Sequence, residues 1–148
     1  MPADTAENFN KIVPYLTVKD GNAAIAFYEK AFNGECDVKM DAGEQMGPEH
    51  AGRIMHASIK INDGYVMLSE EFDMGGGETG GTNEPGKLGG TSVTVHIEVP
   101  DTKALWDQAV AAGGEVIMPL ENQFWDASYG KLRDPFGHVW SIGGPKMK

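Results

Sequence analysis

The chain has 148 residues, enough for one domain with a real core, and its 12 Lys plus Arg against 22 Asp plus Glu give a net charge of −10. Such a field repels phosphate backbones, and the densest basic cluster is only Lys146 and Lys148 at the tail, so nucleic acid is excluded as a partner. No apolar run reaches membrane-spanning length and no charged-then-apolar leader opens the sequence; Cys36 stands alone, so no intrachain disulfide can form and a reducing, cytoplasmic setting is expected.

Residues 1–10 are polar. Residues 11–18 alternate, with Ile12, Leu16 and Val18 on one face and Val13, Tyr15 and Thr17 on the other, which predicts a strand whose two faces serve different purposes. Asp20 or Asn22 can cap the helix that follows. Its apolar stripe is Ala24, Phe27, Tyr28 and Ala31, and Asn33-Gly34 ends it. Residues 35–40 read as a short strand and residues 41–52 as a polar loop. Residues 53–61 alternate again, Met55, Ala57, Ile59 and Ile61 against His56, Ser58 and Lys60. Asn62-Asp63-Gly64 then turns the chain into a strand over residues 65–70.

Residues 71–90 hold eight glycines, one proline and almost no apolar side chain, the composition of a flexible linker that could fold over a cleft as a lid. Gly81 to Lys87 matches the spacing of a phosphate-binding loop. However, Leu88 stands where Ser or Thr should hold magnesium, and Gly89-Gly90 follows instead of a helix, so the match is set aside. The order then starts again. Residues 92–99 alternate, Val93, Val95, Ile97 and Val99 against Ser92, Thr94, His96 and Glu98. Asp101 or Thr102 caps a helix striped by Leu105, Trp106, Ala109 and Val110, and Gly113-Gly114 ends it. Strands over residues 115–118, 124–132 and 138–143 complete the unit. Val18 with Asp20 matches Val99 with Asp101, and Gly34-Glu35 matches Gly114-Glu115. The fold class is α+β, a βαβββ module twice over.

The strongest local signal is residues 130–143, GKLRDPFGHVWSIG. Asp134-Pro135-Phe136-Gly137 carries Asp, Pro and Gly at the first, second and fourth places of a type I turn. The strand after it puts Trp140 and Ile142 on one face, Val139 and Ser141 on the other. The phrase FWDASYGKLRDPFGHVWSIG at residues 124–143, with VPYLTVKDGNAAIAFYEKAF at residues 13–32, resembles the vicinal-oxygen-chelate superfamily of glyoxalase I, extradiol dioxygenases and fosfomycin- and bleomycin-resistance proteins. It is closest to the PhnB-like branch. The resemblance implies two βαβββ modules forming a half-open barrel around a cleft. It implies a single domain over residues 1–148, with module one at about 11–70, the glycine-rich linker at 71–90 and module two at about 91–143. It also implies a homodimer.

Enzymes of that superfamily commonly hold one divalent ion in the cleft through His, Glu or Gln from the first and last strand of each module. Those positions fall on Val13, Met67, Thr94 and Ser141, none a usual ligand. No metal and no cofactor are therefore expected. The leading expectation is a small-molecule-binding protein with a planar or aromatic ligand. The alternative is a glyoxalase-like lyase, isomerase or dioxygenase whose displaced metal would use His56, His96 and Glu98. A third is a degenerate domain that serves oligomerisation. The expected ligand-binding residues are Tyr15, His56, Tyr65, Met67, His96, Trp125, Tyr129 and Ser141. Trp125 and Tyr129, four apart, share a face if no bulge intervenes, and Asp126 and Arg133 flank them. His50 and His138 are placed on the surface. No Ser-His-Asp arrangement is assembled from the sequence.

Overall fold

The computed structural model describes residues 12–72 and 83–148. After strand β1 (Tyr15–Thr17), the Asp20 carboxylate accepts from the Ala23 amide at 3.0 Å and starts helix α1 (Gly21–Phe32). Asn33 ends that helix in the left-handed region at φ 58°. Strand β2 (Glu35–Asp41), the short helix α2 (Ala42–Met46), and the hairpin of β3 (Ile54–Ile61) and β4 (Gly64–Ser69) complete the first unit. Asn62 and Asp63 both take positive φ, 48° and 66°, which is the geometry of a two-residue hairpin turn. The second unit follows the short helix α3 (Pro85–Leu88). Strand β5 (Thr94–Glu98) leads to helix α4 (Thr102–Ala112), capped by Asp101 on the Ala104 amide, and then to β6 (Glu115–Asn122), β7 (Ala127–Arg133) and β8 (Val139–Pro145).

Each unit makes its own four-stranded sheet, ordered β1-β4-β3-β2 and β5-β8-β7-β6, with the first pair in each order parallel; the sheets do not close into a barrel. The half-open α+β architecture is therefore present. Leu16, Val18, Ala57, Ile59, Ile61 and Leu68 of the first sheet and Ile97, Leu132, Trp140 and Ile142 of the second are all buried with Phe27, Tyr28, Leu105 and Trp106 of the helices. The helices touch each other, and Gln108 of α4 donates to the carbonyls of Lys30 and Ala31 at the end of α1. The opposite face of each sheet is left for other uses.

Beneath this core sits a buried carboxylate. Asp134, 3 % exposed, accepts from the Tyr28 hydroxyl at 2.6 Å, the Trp140 indole N–H at 2.8 Å and the amides of Phe136 and His138. Four donors satisfy a charge that would otherwise be costly to bury. The turn closes as expected, Gly137 N–H donating to the Asp134 carbonyl at 3.1 Å. Burial first, then the adjacent Asp134 charge, pushes the Tyr28 phenol well above its usual range.

Several local expectations need correction. Residues 41–52 are not a plain loop: Asp41 caps α2 through the Gly43 amide at 2.7 Å, and Pro48–His50 makes a single 3₁₀ turn. A bulge between Met40 and Asp41 shifts the register, so Ile54 rather than Met55 enters the core. Ile12 and Val93 are exposed, and so is Val110 on α4, which lies off the buried stripe of Leu105, Trp106 and Ala109. The predicted strand at residues 124–132 begins only at Ala127, since Asp126 turns at φ 67° and its amide donates to Gln123. His138 is half-buried rather than free at the surface; its Nε2 meets the Thr17 carbonyl at 2.8 Å and ties the start of β8 to β1. Of the linker at 71–90, residues 73–82 lie outside the described residues, and the lid expectation falls mainly there. The remainder is anchored. The Glu84 carboxylate caps α3, and Glu71 accepts from the Glu84 amide and the Lys87 ammonium.

Candidate functional site

The second sheet's outer face carries the most developed side-chain arrangement. In the parallel β5–β8 register, His96 lies opposite Ser141 and Glu98 opposite Gly143; across β8 and β7, Gly143 lies opposite Tyr129 and Ser141 opposite Lys131. His96 Nε2 is 2.7 Å from Glu98 Oε1, and its Nδ1 is 2.7 Å from Ser141 Oγ. A carboxylate only accepts, so Nε2 carries the proton toward Glu98 and Nδ1 accepts from the serine hydroxyl. The order Ser–His–Glu is that of a nucleophilic triad, but Ser141 is 1 % exposed and forms the inner end of the line. A substrate could not reach its oxygen, so the geometry opposes acyl transfer.

Two features hold this line in place. The His96 ring lies on the Tyr129 ring, with centroids 5.8 Å apart and planes 19° apart. Gly143 leaves the space it needs: a Cβ there would come within 2.7 Å of His96 Cε1. Gly143 is a site residue that the sequence reading missed. The signal was available, since an interior strand glycine marks close approach by another group.

Trp125 joins the cluster by an unexpected route. It sits in the β6–β7 turn rather than on β7, so strand alternation does not place it. Its ring nevertheless lies 5.9 Å from Tyr129 at 66°, and Phe124 packs edge-on against it at 4.9 Å. Trp125 is 49 % exposed and Phe124 95 %. Tyr129 is engaged by His96 on one side and Trp125 on another, so the open aromatic surface belongs mainly to Trp125. Arg133, farther along β7, is paired with Glu115 at 3.0 Å.

The other expected residues lie on the first sheet. Tyr15 lies opposite Met67, which lies opposite Ser58. The Tyr15 hydroxyl is 2.6 Å from His56 Nδ1. Ser58 is buried, and its hydroxyl has no partner among the described residues. Tyr65 and His96 line one small cavity of about 150 Å³ at the seam between the sheets, together with Pro14, Val95 and Trp140. The structure thus brings His96, Ser141, Tyr129 and Trp125 into one group, and Tyr15, His56 and Met67 into another.

The chain matches the glyoxalase/bleomycin resistance protein/dioxygenase superfamily over residues 8–142, and it belongs to that superfamily. An uncharacterised protein of Mycobacterium bovis is 41% identical over 133 residues, covering 89% of this chain and 81% of the relative. Among solved structures, protein PA1353 of Pseudomonas aeruginosa superposes with a TM-score of 0.69 at 27% identity, over 93% of this chain and 98% of that one. A PhnB protein of Bacillus cereus gives a TM-score of 0.67 at 19% identity, over 91% and 99%.

The positions that the sequence resemblance assigns to a divalent ion carry Val13, Met67, Thr94 and Ser141. Met67, a thioether, stands between Tyr15 and Ser58 in the sheet register, and the Ser141 hydroxyl is held by His96. Thr94 and Val13 add a hydroxyl and an alkyl group. Among the described residues, no three His, Cys, Asp or Glu side chains come together as a ligand set. His56 and His96 lie on different sheets, each engaged with another side chain. No helix among the described residues is long and apolar enough to cross a membrane.

Proposed function

We propose that the chain is a metal-independent, PhnB-like small-molecule-binding protein whose ligand is planar and lies against Trp125 on the outer face of the second sheet. The supporting observation is the exposed aromatic wall beside a fixed polar network. Trp125 keeps about half its surface open, while Tyr129, His96 and Ser141 hold one another in position behind it. A preorganised wall loses little freedom when a flat molecule settles on it.

The test separates binding from packing. Stacking on such a ring is worth roughly 0.5–1.5 kcal/mol beyond area burial, so Trp125→Ala is expected to weaken a planar aromatic compound by about tenfold. A core tryptophan would instead cost ~3–5 kcal/mol of fold stability. Thermal melts and titrations with planar aromatic compounds on wild type and Trp125→Ala tell the two apart. A large drop in melting temperature, or no change in wild-type tryptophan fluorescence with any compound, would count against this site. Protein purified without added metal or affinity tag is expected to contain substoichiometric divalent metal by elemental analysis. One ion per chain, lost in both His56→Ala and His96→Ala, would overturn the metal-independent reading.

A further inference from the structure

Helix α3 stands over the turn that opens at Asp134, and a cleft of about 540 Å³ lies between them. It is at the Arg133 end of β7, whereas Trp125 precedes the other end, roughly 20 Å away along the strand. A Cβ on Gly137 would come within 2.6 Å of Pro85 Cβ, so the turn glycine is what lets α3 approach this closely. Pro85, Pro135 and Phe136 give the cleft apolar walls. Gly89 and Gly90 keep its α3 side open, since a Cβ at either would meet nothing within 4 Å. Its size is that of a small-molecule site.

The charges on the walls are unequally engaged. Glu84 accepts from the Gly86 and Lys87 amides, Asp134 from its four donors, and Glu115 from Arg133. Lys19, at the rim, has no hydrogen bond or ion pair with any described residue. It also lines a neighbouring cavity of about 260 Å³, which shares Glu84 with the first. The carboxylates there are engaged as well. Glu70 accepts from the Gly21 and Ile54 amides and pairs with Arg53, and Glu71 accepts from the Glu84 amide and Lys87. An ammonium among carboxylates that are all held by other donors is available to an acceptor from outside.

We propose that this cleft binds a small aliphatic carboxylic acid as its anion, with the carboxylate at the Lys19 ammonium and the hydrocarbon against Pro85, Pro135 and Phe136. A carboxylate suits the site better than a phosphate, which is usually cradled by several amide donors. The α3 amides are already spent: Gly86 and Lys87 on the Glu84 carboxylate, Leu88 on the Glu84 carbonyl and Gly90 on the Pro85 carbonyl. A cation would meet Lys19 and find the carboxylates occupied. The net charge of −10 opposes an anion at long range, but that field is screened beyond about 8 Å at physiological salt, whereas Lys19 acts at contact. The site is separate from the Trp125 wall and does not depend on it.

Amide chemical-shift titration of the isotope-labelled full chain with cyclohexanecarboxylate, cyclohexanecarboxamide and cyclohexylmethylammonium tests this with one hydrocarbon in anionic, neutral and cationic form. The carboxylate is expected to shift the amides of Gly86, Gly89, Gly90, Phe136 and Gly137. It should bind about fivefold more tightly than the amide, the upper range for an exposed ion pair. In Lys19→Met that preference should vanish. The melting temperature should not change, because Lys19 bonds to nothing in the fold. Equal binding of carboxylate and amide, tighter binding of the ammonium compound, a preference that survives Lys19→Met, or shifts confined to residues around Trp125 would overturn the proposal. So would failure of the carboxylate to bind. Each of these results leaves the Trp125 reading, tested with planar aromatic compounds, where it stands.

Discussion

Asp134 shows what a single residue does here at two levels. In the chain it opens a turn; in the fold its carboxylate gathers the Tyr28 hydroxyl, the Trp140 indole and two amides. Removing one donor leaves a buried acceptor short of a partner, so Tyr28→Phe is expected to cost about 1–3 kcal/mol at neutral pH. The same variant has an alkaline signature. The folded phenol titrates well above its ordinary value, chiefly through burial and then through Asp134. Below about pH 10 the phenol is protonated in both states and its contribution is fully present. Above that, the unfolded chain ionises while the folded one does not, so stability falls as pH rises. Urea melts from pH 8 to 11 should show the wild type losing stability faster than Tyr28→Phe. Parallel curves would show that the phenol does not carry this term. The turn at Asp134 was legible in the sequence because Asp, Pro and Gly have local preferences. The bond to Tyr28, 106 residues away, was not, because no local preference encodes it.

At the scale of elements, legibility followed periodicity. The four stripe residues read for α1, Ala24, Phe27, Tyr28 and Ala31, are all buried, though Ile25 and Phe32 join them, and both helix caps were placed on Asp20 and Asp101, each within a stated pair of options. The misses arose where one residue broke a period. The bulge at Met40/Asp41 exchanged Met55 for Ile54, and the left-handed Asp126 removed Trp125 from its strand. The His96–Ser141 pair was hidden because parallel register depends on how a crossover helix sets two strands, which alternation alone does not fix. The former linker holds an element too. Helix α3 is tied back by Glu71, whose carboxyl is held below the usual range by Lys87 and then by the Glu84 amide. A depressed carboxyl stabilises the fold above its unfolded value, about 4.3, and that contribution disappears as pH falls through the folded value. Lys87→Met should therefore lower the melting temperature slightly at pH 7. Because the lysine is 62 % exposed, the loss should stay below about 1 kcal/mol. The gap from wild type should close as pH falls toward 3. A gap that persists there would mean Lys87 acts through packing rather than charge.

Across the whole molecule, apolar surface is divided unevenly. The first sheet buries Ile54, Ala57, Ile59, Val66 and Leu68 almost completely, whereas in the second sheet Val116 is 43 % and Ile117 41 % exposed. Both lie on β6, an edge strand of that sheet. An apolar edge strand with unpaired backbone groups invites another chain, and proteins that keep such an edge usually cover it. Pro119, farther along β6, and two register shifts against β7 interrupt the ladder. We therefore propose that a second copy covers this edge in solution, in keeping with the homodimer implied by the sequence resemblance. Light scattering on a sizing column should give about twice the chain mass of 15.9 kDa, and dilution should release monomer. Ile117→Lys places a charge on the covered surface while touching little of the chain's own core, so it should shift the protein toward monomer with only a small change in melting temperature. A wild type that elutes as monomer at high micromolar concentration would remove the dimer. A dimer insensitive to Ile117→Lys would move the interface away from β6, and hydrogen exchange of the β6 amides would then be fast in the dimer as well as in the monomer.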